Sequence, residues 1–236
     1  MGTFNQSAYE QLKGQRGVGA GSTSQYFYEM PRGKRVLEIG FGQGELVQSL
    51  LEKNNAVYGV DIGLESMTGA IKDGFIDKAH LLWLDVSTER LPWLNDFFDT
   101  AYCTECIEHL ENPGHMFLEA KRVLKPDGKF IVSFPRPEDN LGYGGGEHAH
   151  FYPGFLIRKS FRMFCQQMYF KILKYFEFGS TAWYLLENIK DNDQEGIHLV
   201  LQGNYDEEVL YGKLKEKAWD DKKEIRYPPK TMWKLL

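Results

Sequence analysis

The chain has 236 residues, of which 42% are hydrophobic and 26% are charged, a composition that excludes a disordered chain and suits a soluble globular domain. The formal net charge of −5 argues against a dedicated duplex-binding protein, which would carry a basic excess to neutralise phosphates. Three cysteines do not make a disulfide framework, and neither a signal core nor a membrane-spanning apolar run is present, so we expect a cytoplasmic protein.

The order of apolar runs and helical stretches predicts an α/β protein. The first 33 residues are polar and rich in glycine, which predicts a leading arm or cap. In residues 34–204, strand-like and helix-like segments alternate, which predicts βαβ units and a parallel sheet. The predicted strands are Arg35–Ile39, Ala56–Val60, His80–Leu84, Thr100–Cys103, Gly128–Phe134, Tyr169–Phe178 and Gly196–Leu201. The predicted helices are Glu45–Lys53, Leu64–Lys72, Gly114–Leu124 and Pro153–Gln167.

The end of the chain predicts a departure from this alternation. The last two predicted strands follow each other with no clear helix between them, which indicates a hairpin that adds an antiparallel edge strand. The expected fold is therefore a doubly wound, mostly parallel sheet with an antiparallel last strand. Residues 205–236 hold one predicted helix and an irregular tail containing Pro228 and Pro229, and we expect them to pack on the same domain.

The strongest motif is VLEIGFGQGEL, from Val36 to Leu46, in which an apolar strand enters a glycine-spaced turn that opens a helix. Glycines let the backbone approach a ligand, and such a turn lies at the carboxyl ends of the strands, where ligands bind. The dinucleotide fingerprint G-x-G-x-x-G would place its third glycine at Glu45, whose carboxylate would face a pyrophosphate. The spacing therefore disfavours a nicotinamide-dependent oxidoreductase and favours S-adenosylmethionine (SAM), which has no phosphate and carries a cation.

Acidic residues end the next two predicted strands. Asp61 is placed to accept hydrogen bonds from both hydroxyls of a ribose. Asp85 is placed to hold the exocyclic amine of an adenine, and Ile62 and Val86 could sandwich its ring. The alternative for both carboxylates is that each caps the helix that follows it.

Five stretches together resemble the class I SAM-dependent methyltransferases, in that family's order from residue 34 to about residue 135: VLEIGFGQGE, VYGVDI, WLDVSTERLPW, FDTAYCTECIEHL and RVLKPDGKFIVSFP. The resemblance implies a seven-stranded Rossmann-like sheet with a reversed last strand. It also implies methyl transfer from SAM, which leaves S-adenosylhomocysteine (SAH). The cofactor contacts that it implies are Glu38, Gly40, Gly42, Gly44, Asp61, Ile62, Asp85, Val86 and Cys103.

The sequence is compatible with two kinds of catalytic chemistry, one that uses a divalent metal and one that uses a histidine base. Similar E-x-x-E-H arrangements bind a metal in the small-RNA 2′-O-methyltransferases and in ubiquinone-pathway O-methyltransferases, so Glu105, Glu108, His109 and the later His148 are candidate ligands for a divalent cation. Without a metal, His109, His148 or His150 is the candidate general base, because imidazole titrates near neutrality. The alternative is a capped helix with a histidine packed beside it.

The expected partner is a small organic acceptor that is methylated on oxygen or nitrogen. The alternatives are an RNA 2′-O-methyltransferase that uses a divalent metal, against which the acidic charge argues, and a non-catalytic SAM-binding protein on the same fold. We expect a monomer or homodimer without a nucleic-acid or membrane partner. The aromatic-rich region around Trp83, Trp93, Phe97 and Phe98 is expected to pack internally and not to form a ligand cage.

Overall fold

A computed structural model describes residues 30–74, 77–136, 158–178 and 181–190. Seven strands form one sheet in the order β3-β2-β1-β4-β5-β7-β6. The first five strands pair in parallel, and β7 pairs antiparallel with both β5 and β6. The strands are β1 (Arg35–Ile39), β2 (Ala56–Asp61), β3 (His80–Trp83), β4 (Phe98–Thr104), β5 (Leu124–Pro135), β6 (Phe170–Phe178) and β7 (Thr181–Asn188).

The central strands are buried on both faces, which explains their continuous apolar runs. In β1, Val36 belongs to the smaller of two hydrophobic cores and Leu37 to the larger one. In β5, Ile131 belongs to the smaller core and Phe130 to the larger one. This alternation shows that the sheet separates two apolar layers.

Helices cover both layers. Leu46, Val47 and Leu50 of the first helix belong to the smaller core, whereas Phe117 and Phe161 of the third and fourth belong to the larger. The helices are α1 (Glu45–Leu51), α2 (Leu64–Lys72), α3 (Pro113–Val123) and α4 (Arg158–Gln167), and a 3-10 turn spans Ile107–His109. The predicted doubly wound α/β architecture is confirmed.

The position of the ligand site follows from the strand order. The chain proceeds outward from β1 to β2 and β3, and then returns to place β4 on the other side of β1. In open α/β sheets, ligands bind outside the carboxyl ends of the strands where the order reverses. The glycine-spaced turn follows β1 directly and therefore lies at this reversal.

The reversed strand is Thr181–Asn188, which the sequence analysis did not predict. This strand lies between β5 and β6 and is almost entirely buried, so its sequence TAWYLLEN lacks the polar alternation of a half-exposed strand. The predicted strand Gly196–Leu201 lies outside the described residues. The antiparallel hairpin that we expected is present, but Thr181–Asn188 forms its second strand.

The other predicted elements agree with the structure within a few residues, and β4 and β5 are longer than expected. Of the predicted helix Pro153–Gln167, the described part forms α4. Residues 1–29 of the predicted arm and the tail from residue 205 lie outside the described residues. Among the helices that the structure describes, none has the length and apolar character needed to cross a membrane.

Candidate functional site

The turn after β1 is built from glycines in the left-handed region. Gly40, Gly42 and Gly44 have φ values of 76°, 50° and 80°, a conformation that other residues adopt only at an energetic cost. The N–H of Gly40 donates to the carbonyl of Val60 at 2.8 Å, which fixes the turn to the end of β2. A Cβ added to Gly40 would lie 2.6 Å from Sγ of Cys106. The segment that follows β4 therefore packs directly against the glycine turn.

Gly40→Ala is expected to destabilise the protein by about 2–5 kcal/mol, because an L-residue at positive φ is strained and its Cβ would overlap Cys106. Gly74 is a matched control, since its φ is +71° and a Cβ there would meet nothing within 4 Å. Gly74→Ala should therefore cost only about 1–2 kcal/mol. Urea denaturation of both variants measures the difference, and equal losses would contradict the close approach of Cys106.

Asp61 ties this turn to the beginning of α2. Its Oδ2 accepts the N–H of Gly42 at 2.8 Å, and its Oδ1 accepts the N–H of Gly63 at 2.7 Å. The residue is only 4% exposed, and this burial raises the pKa of its carboxyl although both hydrogen bonds lower it. The side chain of Ser66 also hydrogen-bonds to this carboxylate. A carboxylate has about four acceptor positions, so a ribose hydroxyl could still bind here, and that contact stays a prediction.

Glu38 is a buried carboxyl beside the same turn. It is 3% exposed and accepts the N–H of Val47 in the first turn of α1, where the N-cap Gly44 offers no side chain. Its Oε2 has no hydrogen-bond partner among the described residues. Burial, and then the charge of Asp61, raise the pKa of Glu38 well above its usual value. A buried acceptor without a partner is a position at which a ligand donor is expected.

Asp85 occupies the predicted place after β3, and its side chain caps the following turn. Oδ1 accepts the N–H of Ser87 at 2.8 Å, and Thr88 Oγ1 donates to Oδ2 at 3.2 Å. A reciprocal hydrogen bond comes from the backbone of Asp85, whose N–H donates to Oε1 of Glu89 at 2.9 Å. Asp85 therefore caps a turn and not the helix of the alternative, since the described residues between β3 and β4 contain no helix. The adenine contact stays a prediction.

Ile62 and Val86 follow the two aspartates, and each has its carbonyl held by an aromatic side chain. Nε1 of Trp83 donates to the carbonyl of Ile62 at 2.7 Å. Nδ1 of His115 lies 3.0 Å from the carbonyl oxygen of Val86. This contact of His115 was not predictable from a local pattern, because it joins residues 29 positions apart.

The aromatic-rich region divides into a packed part and an exposed part. Trp93, Phe97 and Phe98 surround Tyr58, with ring centroids 4.9–5.8 Å apart, as expected for internal packing. Trp83 is 57% exposed. The interpretation as packing therefore suits the first three residues and not Trp83.

The end of β4 brings two cysteines to the turn. Cys103 is fully buried, and its thiol is hydrogen-bonded to Cys106. This hydrogen bond, together with burial, raises the pKa of Cys106 well above its usual value. Cys106 was not predicted as a neighbour of Gly40, although its spacing from Cys103 forms a C-x-x-C pattern.

Glu105 follows β4 in a left-handed conformation with φ 49°. Its N–H donates to the carbonyl of Ser133 at 3.0 Å, and its Oε1 accepts the hydroxyl of Ser133 at 2.8 Å. The residue is exposed as a whole, but its carboxyl is closely surrounded by protein, and this desolvation raises its pKa to about 7. The role of Ser133 depends on the pairing of β4 with β5, and no local pattern in the sequence indicates it.

Glu108 and His109 lie in the 3-10 turn after Glu105. Glu108 is buried, and burial, followed by the charge of Glu105, raises its pKa well above the usual value. Nε2 of His109 is 3.7 Å from Oε1 of Glu108. Within the described ranges, no group of three or more His, Cys, Asp or Glu side chains could hold a metal ion. His148 and His150 lie outside those ranges, so the metal site and the histidine base both stay predictions.

Comparison with known families agrees with this geometry. The family described as "Methyltransferase domain" matches residues 37–132, which run from β1 into β5 and contain all nine predicted cofactor residues. The ubiquinone biosynthesis O-methyltransferase of Photobacterium profundum is 29% identical over 102 residues, which are 43% of each chain. That of Dechloromonas aromatica is 30% identical over 103 residues, 43% of this chain and 44% of the relative. The chain thus matches less than half of the length of these relatives.

Solved structures share the fold. A SAM-dependent methyltransferase from Aquifex aeolicus has a TM-score of 0.63 at 15% identity, covering 78% of this chain and 98% of that one. A chain in the complex between the Haloferax volcanii Trm112 methyltransferase activator and a putative methyltransferase has a TM-score of 0.64 at 17% identity, covering 80% and 99%. Likeness at these identities shows a common fold, and it agrees with the seven-stranded sheet.

Proposed function

We propose, on the premise that residues 37–132 form a domain of the class I SAM-dependent methyltransferases, that this chain methylates an oxygen or nitrogen of a small organic acceptor. The observation that carries the proposal is the pair of buried carboxyls at the glycine turn: Asp61 bonded to Gly42, and Glu38 with one oxygen unpartnered among the described residues. SAM supplies an activated methyl group on a sulfonium, so the main task of the protein is alignment of the acceptor.

The electrostatics of the turn support SAM over a dinucleotide. Glu38 and Asp61 both have raised pKa values because they are buried, so their ionised forms need a positive charge nearby. The ammonium group and the sulfonium of SAM carry that charge. A pyrophosphate would instead face these two carboxyls and Glu45 in the first turn of α1. The Cβ-free surface of the turn leaves room for the ligand to approach the backbone.

Two considerations favour a hydroxyl oxygen as the methylated atom. The relatives named above are ubiquinone biosynthesis O-methyltransferases, although the match covers less than half of each. A hydroxyl acceptor must also lose a proton, and Glu105 and His109, which follow β4, are the described groups that could accept it. His148 and His150 remain candidates for the same role.

Calorimetric titration with SAH, with NAD as the control, tests the cofactor. We expect a dissociation constant of SAH at about the micromolar level and no binding of NAD. Transfer of labelled methyl groups from SAM to a catechol and to a primary amine then compares the two acceptor atoms. Preference for NAD would refute the proposal, and tight SAH binding without turnover on any acceptor would favour a non-catalytic SAM-binding protein.

A further inference from the structure

Two aromatic side chains brace the loops that flank the expected adenine position. The indole of Trp83 donates Nε1–H to the carbonyl of Ile62, and Nδ1 of His115 lies within hydrogen-bond distance of the carbonyl of Val86. A carbonyl oxygen only accepts hydrogen bonds, so His115 must carry a proton on Nδ1. Ile62 directly follows Asp61, the last residue of β2, and Val86 directly follows Asp85, which comes just after β3. Both carbonyls therefore lie beyond the paired part of these strands.

Trp83 is too exposed to be a core residue, so its position is not explained by packing alone. It lies at the end of β3, an edge strand of the sheet, and more than half of its surface is exposed. A side chain with this exposure gains less from the hydrophobic effect than a fully buried tryptophan would. What the residue does supply is an N–H directed at Ile62, across 21 positions of sequence.

His115 reaches Val86 from a well-anchored position. It is the third residue of α3, and its backbone N–H donates to Oδ1 of the N-cap Asn112 at 3.1 Å. A capped first turn is a rigid base for the imidazole. The loop after β3 is therefore held from α3 at Val86, in addition to the local cap that Asp85 makes.

We propose that Trp83 and His115 are positioning residues, which fix Ile62 and Val86 on the two sides of the slot that receives the adenine of SAM. This inference rests on the proposed function, since it concerns the nucleoside end of the same site. A slot whose walls are already fixed does not lose conformational freedom when the ligand binds. Removing either brace should therefore weaken binding of the adenine-containing part of the ligand, without unfolding the protein.

The test compares four variants with two ligands. Trp83→Phe and His115→Phe remove the two donors, Trp93→Phe makes the same chemical change in the aromatic cluster, and His115→Asn keeps a donor near the position of Nδ1. The ligands are SAH and 5′-methylthioadenosine, which shares the nucleoside but lacks the amino acid. We expect each of the first two variants to bind both ligands about 5-fold more weakly, the loss typical of one hydrogen bond.

The controls make the outcome decisive. Trp93→Phe should leave both affinities unchanged, and His115→Asn should recover most of the affinity that His115→Phe loses. Unchanged affinities in Trp83→Phe and His115→Phe would overturn the proposal, as would a loss for SAH that 5′-methylthioadenosine does not share. If the wild-type protein binds SAH and Trp83→Phe and His115→Phe bind it with unchanged affinity, only this inference fails. If the wild-type protein does not bind SAH, the proposed function fails and the positioning role fails with it.

Discussion

Asp61→Ala is expected to reduce the affinity for SAH by more than about 100-fold. The carboxylate accepts the backbone N–H groups of Gly42 and Gly63, and hydrogen bonds to a charged group contribute about 1.5–3 kcal/mol each. Its loss would leave the N–H of Gly42 without this acceptor, although Gly40 would stay bonded to Val60, and it would also remove the proposed acceptor for the ribose hydroxyls. Both effects act on the same ligand, so the loss of affinity should exceed that of any other single substitution in the site.

The control for Asp61→Ala is Asp99→Ala. Asp99 also accepts a backbone N–H, from Arg35 at 2.9 Å, and pairs with Lys125, but it lies near the beginning of β4. It is therefore at the amino ends of the parallel strands, away from the glycine turn at their carboxyl ends. That variant should lose stability and keep its affinity for SAH. Calorimetry measures affinity, and thermal melting shows whether each variant is folded. Wild-type affinity in a folded Asp61→Ala variant would contradict the placement of the nucleoside.

The local part of the site was predictable because each signal lies within a few residues. The sequence from Val36 to Leu46 contains the strand, the glycines and the beginning of α1, so both the turn and its place in the fold follow from one short pattern. The acidic residues Asp61 and Asp85 are predictable in the same way, since each comes at or just after the end of an apolar run.

What the sequence did not reveal depends on contacts between distant segments. The hydrogen bond between Glu105 and Ser133 exists because β4 and β5 are adjacent, and no local pattern indicates that register. The capping of α1 by Glu38 likewise requires the strand and the helix to be packed first. Strand β7 was missed for another reason, since burial on both sides removed the alternation that would have marked it.

Glu38→Gln is expected to raise the stability of the free protein while it weakens SAH binding. The folded state favours the protonated carboxyl, because burial raises the pKa of Glu38 well above its value in an unfolded chain. A raised pKa gives a stability contribution that is present at low pH and is lost as the pH rises above the unfolded value. The neutral amide avoids that loss and retains an oxygen that can accept the N–H of Val47.

The two measurements should therefore change in opposite directions. The melting temperature of Glu38→Gln should exceed that of the wild-type protein by an amount that grows from pH 5 to pH 8, at about 2–4 °C for each kcal/mol. At pH 7 its affinity for SAH should fall about 10–100-fold, the loss of one hydrogen bond to a charged acceptor. The exposed Glu52, the C-cap residue of α1, is the control, and Glu52→Gln should change neither quantity.

Opposite changes in stability and in SAH affinity distinguish a binding role of Glu38 from a structural one. If Glu38 served only to cap α1, its replacement would lower stability or leave it unchanged, and any loss of affinity would follow from that damage. A buried carboxyl with one oxygen unpartnered in the described structure is instead a cost that the free protein carries and that a cationic ligand relieves. A fall in both stability and affinity would assign Glu38 to the fold, whereas a more stable protein with weakened SAH binding would assign it to the ligand.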